Sequence, residues 1–543
     1  ADAAKFQHFQ AETIVSDFGF KNLGSKMSHQ SSWKKSVFDI YADASLPFEW
    51  TEKLKKAADD AGIHFFTSPY SLELVDKVDK YVCAYKIGSG DITWHKIIEH
   101  MAKKGKPYIL ATGASSIDDV RNAPLLKEVR KSMLDGERHS MCIRCNDEDD
   151  ARMASRRRNA IREYYNKYNY DFWKAESSTM PDGTLVIDKS PVLEWDIRLG
   201  NLCNLKCRMC HPSESTQWYD EWFDTMFKGF KTDFTRIEME KDNKKAKLKN
   251  DIYKWNDIPH FFNQFDNSAS GTRKIYFSGG EPTLVENMYT MLKKLIDAGI
   301  SKDMELEYNI NLTNIPRKAI ELWHEFKSVQ IGGSIDGIGE INDFIRAPAK
   351  WSKIQENIEW LDKNTKPNIN MFNTFTWQIL NATQVFDLVK WQIENNFIKF
   401  NRTVNSVFFS MHFLHSPTYM NVKALPKELK EYVQEEFEKF DNEWFKPWIE
   451  KADSSFRLQN QSYQFSIDEW NKGQLWDENP HEYYLKFKDK MDSMLKFMWS
   501  EDLSDHFKTF IERTKIQNEY RKQTELFDRL YPKISTYIQK ETS

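Results

Sequence analysis

At 543 residues the chain has room for two or more domains, and 40% hydrophobic with 14% aromatic residues is enough to fill real cores, which excludes an intrinsically disordered chain. With 77 basic against 81 acidic residues the formal net charge is −4, so bulk charge leaves no footprint for nucleic acid or an anionic membrane. No apolar run nears the roughly 18–20 residues of a membrane span, and no secretory signal is visible. Six cysteines, five of them in two tight clusters, suit metal ligands in a reducing compartment better than a disulfide framework, so the cytoplasm is the expected location. The chain opens Ala1-Asp-Ala-Ala without a methionine, as a fragment or a processed product would.

Residues 1–117 alternate strand and helix signals. Ala3–Gln7, Ile63–Ser68, Ala84–Ser89 and Pro107–Thr112 read as short strands, with helical patterns at Phe48–Ala61, Leu72–Val78 and Trp94–Lys104. That alternation predicts βα units on a parallel sheet. Lys5, Thr67, Ser68, Lys86, Ser89 and Thr112 then fall along one rim, where lysines and hydroxyls suit a phosphate or carboxylate. Taken one at a time, a polar strand end is the plainer reading of each. Lys5-Phe-Gln-His-Phe9, Phe65-Phe-Thr-Ser-Pro69, Tyr85-Lys-Ile-Gly-Ser-Gly-Asp-Ile92 and Ile109-Leu-Ala-Thr-Gly113 resemble the N-acetylneuraminate (sialic acid) synthase family. The resemblance implies contacts to phosphoenolpyruvate and an amino sugar for Lys5, Gln7, Ser68, Lys86 and Ser89. It spans what should be the second to fifth strands of a barrel. Four strands cannot close an eight-stranded barrel, so synthase activity is not expected from this segment alone.

Residues 118–190 hold a predicted helix over Ala123–Asp135, then Cys142-Ile-Arg-Cys145, which by itself is half of a zinc or iron–sulfur site. Arg156-Arg-Arg158 with Tyr164, Tyr165, Tyr168 and Tyr170 has the mixture of an RNA surface, but a solvated helix with inward-packed aromatics is the plainer reading. Thr184–Ile187 reads as a strand after an Asp182-Gly183 turn.

Residues 191–415 carry six strand signals, at 192–199, 273–278, Glu305–Asn311, Val329–Ile335, Ile369–Phe375 and Ser406–Phe413, with helices between them; residues 230–272 read as a mainly helical insertion. Cys203, Cys207 and Cys210 follow the first strand at spacing C-x3-C-x2-C. Three soft thiolates so close together suit one face of an iron–sulfur cube with an open fourth iron, and zinc with His211 as fourth ligand is the alternative. Gly279-Gly-Glu-Pro282 follows the second strand. These two motifs in order resemble the radical S-adenosylmethionine (AdoMet, or SAM) superfamily. The resemblance implies a partial (β/α)6 TIM-like barrel, a [4Fe–4S] cluster on the three cysteines, and AdoMet chelated at the open iron. It also implies AdoMet contacts from Met209, Gly279, Gly280, Glu281, Pro282, Asn311, Ser334 and Arg346. Reductive cleavage of AdoMet to a 5′-deoxyadenosyl radical, with a reduced flavodoxin or ferredoxin as electron donor, follows from the same resemblance. Ser132–Glu137 with Cys142 and Cys145 resembles the region before the AdoMet domain in twitch-type members, where such cysteines help hold an auxiliary cluster. With Cys83 the sole cysteine upstream, an incomplete site is favoured. Asn381 and His412 are substrate-side candidates, with ordinary packing or capping the plainer reading.

Residues 416–543 read as a helical tail rich in Trp, Phe, Lys and Glu, without cysteine, acting as a cap or docking element. The expected class is α/β: an incomplete βα barrel segment (1–117), a cysteine-containing region (118–190), a partial barrel (191–415) and a helical tail (416–543). The expected activity is radical chemistry on a sugar, nucleotide sugar or peptide. A non-catalytic metal or iron–sulfur scaffold, or a remnant of a phosphoenolpyruvate-dependent synthase, stand as alternatives.

Overall fold

A computed structural model describes residues 3–14, 35–88, 91, 94–110, 116–142, 145–146, 149, 156–226, 239–242, 245–248, 259–395, 397, 399–400, 409–451 and 480–542. Two compact units divide the chain, Ala1–Ser190 and Pro191–Ser543.

The first unit is built on a parallel sheet of β1 (Ala3–His8), β2 (His64–Pro69), β3 (Tyr85–Ile87) and β4 (Tyr108–Leu110), in that spatial order. Helices Thr51–Asp60, Leu72–Val78 and His95–Ala102 connect them. Ser71 starts the second of these because its side chain accepts the Leu74 amide, one of the free N–H groups of the first turn. Leu74, Val75 and Val78 on one face of that helix are buried, as are Ile97 and Met101 of the next. Val75, Val78, Ile97 and Met101 meet Phe65, Tyr85 and Ile87 from the sheet in a small core. Pro124–Leu134 forms a further helix with proline in its first turn, and none of its residues is buried. Thr184–Ile187 is not the expected strand: a single bridge joins Thr179 to Leu185, and Ile187–Lys189 turns as a 3-10 helix. Met180, Asp182 and Thr184 close the local turn with their own hydrogen bonds, so the β-branched run has no neighbouring strand to extend along.

The second unit holds six parallel strands, β5 (Glu194–Arg198), β8 (Lys274–Ser278), β9 (Glu305–Ile310), β10 (Ser328–Ser334), β11 (Ile369–Trp377) and β12 (Phe409–Phe413), adjacent in that order. Between the first two lies an antiparallel hairpin, β6 (Met239–Asp242) and β7 (Lys245–Leu248). The expectation of a mainly helical insertion is corrected there, although helix Pro259–Ser268 follows. Lys247 pairs with Glu240 across the strands, and the register sets Lys245 opposite Asp242. The only apolar alternation is the four residues Lys245-Ala246-Lys247-Leu248 of β7, too short to stand out in a charged run. Strand β12 is described from Phe409, so Ser406–Phe408 of the expected sixth strand lie outside the described residues.

Leu306, Tyr308 and Ile310 of β9 face the outer helices and are buried, while Glu307 and Asn309 face the other side. The same alternation gives β8 an inner face of Lys274, Tyr276 and Ser278. The architecture is therefore the α/β partial barrel expected, with polar residues on its concave side. The helical tail, Lys427–Lys439, Pro480–Trp499, Phe507–Arg521, Thr524–Leu530 and Pro532–Thr542, does more than cap it. Val433, Phe437, Phe487, Met491, Phe507 and Phe527 belong to the same continuous core as the barrel. Among the described residues no helix is long and apolar enough to cross a membrane.

Candidate active site

The C-terminal ends of β5, β8, β9 and β10 surround one cavity of about 170 Å³. Its lining brings together Cys203, Cys207 and Cys210 with Gly279, Gly280, Glu281, Asn311, Ser334 and Arg346. Arg198, Glu214, Ser278 and Asn309 complete much of the wall. Of the expected contacts, Met209 and Pro282 do not line it: Met209 packs on the core, and the buried Pro282 starts the short helix Pro282–Leu284. Among the described residues no three His, Cys, Asp or Glu side chains converge as around a single ion. A cube takes each thiolate on a different iron, so its ligands need not meet at one point.

Both glycines pack against the chain that enters the cysteine loop. A Cβ on Gly279, whose φ is +95°, would stand 2.4 Å from Arg198 Cγ, and one on Gly280 would stand 2.4 Å from the Leu202 carbonyl oxygen. That closeness permits two backbone bonds, Gly280 N–H to Gly200 O at 3.1 Å and Glu281 N–H to Leu202 O at 2.7 Å. Glu281 is buried and already engaged: it accepts from Thr283 Oγ1 at 2.7 Å and from the Asn311 amide at 2.8 Å. Burial pushes its carboxyl up to about 7 despite those bonds. The Asn311 side chain donates to Asn204 Oδ1 at 2.8 Å and accepts from Thr313, which ties the cysteine loop to the end of β9.

Arg346 enters from the turn after helix Gly339–Ile345. Its Nε lies 2.7 Å from Asp336 Oδ2, and its Nη1 lies 3.9 Å from Cys207 Sγ. Asp336, fully buried, also accepts the Thr376 amide at 2.9 Å and so fixes Arg346 between β10 and β11. Cys207 is pushed down to about 7, first by the hydrogen bond from Cys210 and then by Arg346. Cys210 is held up as the donor in that bond, and burial pushes Cys203 up to about 12. Soft sulfur donors beside a fixed guanidinium form a donor set that fits an iron–sulfur cluster. His211, the zinc alternative, accepts from the Ser213 amide at 3.3 Å and lies 3.7 Å from Glu214. Asn381 donates to Asp336 O and Thr376 O and is fully buried, so it serves packing; His412 is exposed.

Sequence reasoning missed the residues that hold the loop from behind. Arg208 is 1% exposed and reaches Gln517, Asn518 and Gln523. Trp218 Nε1 donates to Cys207 O at 3.0 Å, and Arg521 pairs with the buried Glu221 while donating to Lys206 O. An arginine between two cysteines was visible, but its partners lie about three hundred residues away, beyond any local pattern.

In the first unit the β1–β2 register sets Gln7 beside Ser68 and Lys5 beside Phe66, so Lys5, Gln7, Ser68 and Lys86 share one face. Gln7 donates to Tyr70 Oη at 3.2 Å. Burial, then the charge of Lys86, pulls Lys5 below its usual range. Ser89 lies outside the described residues. His8, not singled out from the sequence, is buried between Thr67 Oγ1 at 2.7 Å and Thr51 Oγ1 at 2.8 Å, and burial pushes it down to about 4. Cys142 and Cys145 are half-buried, and Cys83 is exposed with its thiol 3.4 Å from Phe65 O.

Residues 197–388 match the radical SAM superfamily and residues 1–172 match the NeuB family. An uncharacterized protein of Methanocaldococcus jannaschii is 35% identical over 124 residues, 23% of this chain and 32% of that protein. Pseudaminic acid synthase of Campylobacter jejuni is 28% identical over 122 residues, 22% and 35% of the two chains. N-acetylneuraminate-9-phosphate synthase of Homo sapiens is 29% identical over 122 residues, 22% and 33%. The chain spans about a third of the length of the curated relatives it matches. Among solved structures, SuiB of Streptococcus suis bound to S-adenosylmethionine aligns over 46% of each chain at 16% identity and a TM-score of 0.27. AnSMEcpe with bound AdoMet aligns over 49% of this chain and 62% of its own at 18% identity and a TM-score of 0.30. Overlaps that low set no geometry for this chain.

Proposed function

We propose that this chain, a radical SAM superfamily segment at 197–388 joined to a NeuB-family segment at 1–172, is a radical SAM enzyme whose reaction centre is the cavity at the ends of β5, β8, β9 and β10. The observation that carries the reading is the lining of that cavity: three cysteines, the GGE backbone, Asn311 and Ser334 from four separate strand ends, with Arg346 from the turn after helix Gly339–Ile345. Cys203, Cys207 and Cys210 would hold a [4Fe–4S] cluster, which supplies the reductive cleavage of AdoMet to methionine and a 5′-deoxyadenosyl radical when both are bound. Arg346 holds positive charge beside Cys207 and favours its thiolate, and Asp336 keeps that guanidinium in place. Gly279 and Gly280 leave their peptide groups at the cavity wall, and Glu281 braces the wall through Asn311. Ser278, Asn309 and Ser334 offer polar groups to the ribose and carboxylate of AdoMet. Tyr276 and Asn309, hydrogen-bonded at 2.7 Å on the concave face, mark where a polar substrate would lie.

A flavodoxin or ferredoxin is the electron donor this chemistry calls for, in a reducing cytoplasm. The substrate class proposed is a sugar or nucleotide sugar, supported by the NeuB-family match at 1–172, with a peptide as the alternative suggested by the twitch resemblance. The same match favours a second reading for the first unit alone: Lys5 and Lys86 on one rim bind a carboxylate or phosphate. The test of the main reading is anaerobic reconstitution with iron and sulfide, then AdoMet and dithionite. 5′-Deoxyadenosine is expected from the wild type and none from Cys207→Ala. One zinc per chain in place of about four irons would refute the assignment.

A further inference from the structure

Arg208 sits between the second and third cysteines, yet its side chain turns away from the cavity into the helical tail. Its Nε donates to Phe344 O at 3.2 Å, Nη1 to Gln517 Oε1 at 3.2 Å, and Nη2 to Asn518 Oδ1 at 2.6 Å and Gln523 Oε1 at 2.9 Å. The guanidinium lies 3.7 Å from the centre of the Phe344 ring. Every one of these partners is neutral. Among the described residues no carboxylate comes within ion-pair reach of Arg208, and the buried Glu221 nearby is already shared by Arg521 at 2.9 Å and Lys206 at 2.9 Å. An arginine stays protonated in a protein, and a buried charge without a counter-charge is costly. Neutral amides satisfy its donors but leave its charge uncancelled. What lies on the other side of the loop is three thiols that become anionic when they ligate metal.

We propose that Arg208 is a positioning residue whose uncancelled positive charge, clamped by Gln517, Asn518 and Gln523, biases the cluster held by Cys203, Cys207 and Cys210 toward its reduced state. The proposal rests on the reading of the cavity given above. The loop backbone carries the effect: Arg208 N–H bonds to Ile345 O at 2.8 Å and Lys206 N–H to Ala347 O at 2.7 Å, so the tail, the loop and Arg346 form one rigid assembly. A positive charge held near a cluster favours its more negative, reduced form, and low local polarity extends the reach of that charge. A clamp that only served packing would need no charge at its centre.

The experiment titrates the cluster of the reconstituted full chain by dithionite, followed by electron paramagnetic resonance, without AdoMet. Asn518→Asp keeps the shape of the clamp and adds a counter-charge. It is expected to make the one-electron reduction at least tenfold less favourable, a fall of about 59 mV, with about four irons retained. Arg208→Lys keeps the charge but loses the fork, so it should hold its potential within a third of that shift while releasing iron to a chelator several-fold faster. An unchanged potential in Asn518→Asp at full iron content overturns the proposal, as does an equal shift in Arg208→Lys. If Asn518→Asp takes up no iron, Gln523→Glu brings the same charge from just beyond the same helix and is judged by the same shift. A wild type that takes up no cluster at all refutes the reading of the cavity itself.

Discussion

The two units share a design and differ in what crosses their strand ends. Both sheets are parallel, and both carry polar side chains at the C-terminal rim. In the second unit the loops after the strands are laced to one another by backbone bonds, from Gly280 to Gly200, from Glu281 to Leu202 and from Arg208 to Ile345. In the first, the rim residues Lys5, Gln7, Ser68 and Lys86 stand on the strands themselves, with Gln7 bonded to Tyr70 in the loop after β2. Parallel strand ends gather chemistry in either case, but a cavity with fixed walls needs loops that hold each other.

The largest effect should come from the cysteines. Cys207→Ala removes the thiol that hydrogen bonding and Arg346 most favour as a thiolate. Removing a ligand should exceed the 10–100-fold typical of losing an outer-shell partner, so 5′-deoxyadenosine formation should fall by at least about 100-fold, with iron content falling in parallel. A matched substitution at the first unit's exposed cysteine, Cys83→Ala, should change neither reading. A drop in iron content there would mean that the two units do not divide the chemistry as described.

Two glycines sharpen the contrast at the next level. An alanine Cβ at Gly280 meets the Leu202 carbonyl oxygen at 2.4 Å, a backbone atom held by the Glu281 amide. At Gly88 it meets Asp91 Oδ2 at 2.7 Å, the end of a side chain that can rotate. Overpacking against fixed structure costs about 1–3 kcal/mol. Gly280→Ala should sit near the top of that range and loosen the cluster, while Gly88→Ala should stay below about 1 kcal/mol. Denaturant unfolding of each variant against wild type measures both, and equal costs would show that the lacing of the second unit is not rigid.

Much of this was legible because the informative residues are local. C-x3-C-x2-C and GGEP each compress a loop and its neighbour into a few letters, and strand periodicity located all six barrel strands. What was lost has physical reasons. Strands β6 and β7 are four residues each, and two of their four cross-strand pairs are charged, Glu240 with Lys247 and Asp242 with Lys245, so too little apolar alternation runs along either to mark it as a strand. Asn311 lines the cavity, but the network its side chain makes with Asn204 and Thr313 depends on a loop about a hundred residues earlier. Arg208 and the tail meet only in three dimensions. His8 lay in plain view inside Lys5–Phe9, but its burial depends on Thr51 and Thr67.

The last effect is a matter of pH, spread over a wide window rather than felt at one condition, and the two units should answer it in opposite directions. In the first, His8 is held down to about 4 against about 6.5 in an unfolded chain. The unfolded state then binds more protons between those values, so stability is complete above about pH 6.5 and is lost as pH falls toward 4. In the second, burial holds Glu281 up at about 7 against about 4.5 unfolded. There the folded state binds the extra proton, and its stabilising contribution is complete below about pH 4.5 and is lost as pH rises through 7. A tenfold difference in proton affinity between folded and unfolded chain is worth about 1.4 kcal/mol, so each group contributes on the order of 3–4 kcal/mol across its window. Metal-free protein unfolded in denaturant should show it as slopes: His8→Asn should flatten the acid limb between about pH 4.5 and 6.5, and Glu281→Gln should flatten the fall between about pH 5 and 7. The glutamine side chain will also lose an acceptor for either Asn311 or Thr283, which lowers stability at every pH without altering the slope. If both variants flatten the same limb, one of the two side chains is not buried as described, and the exposed one will be the histidine or glutamate whose own limb stays steep.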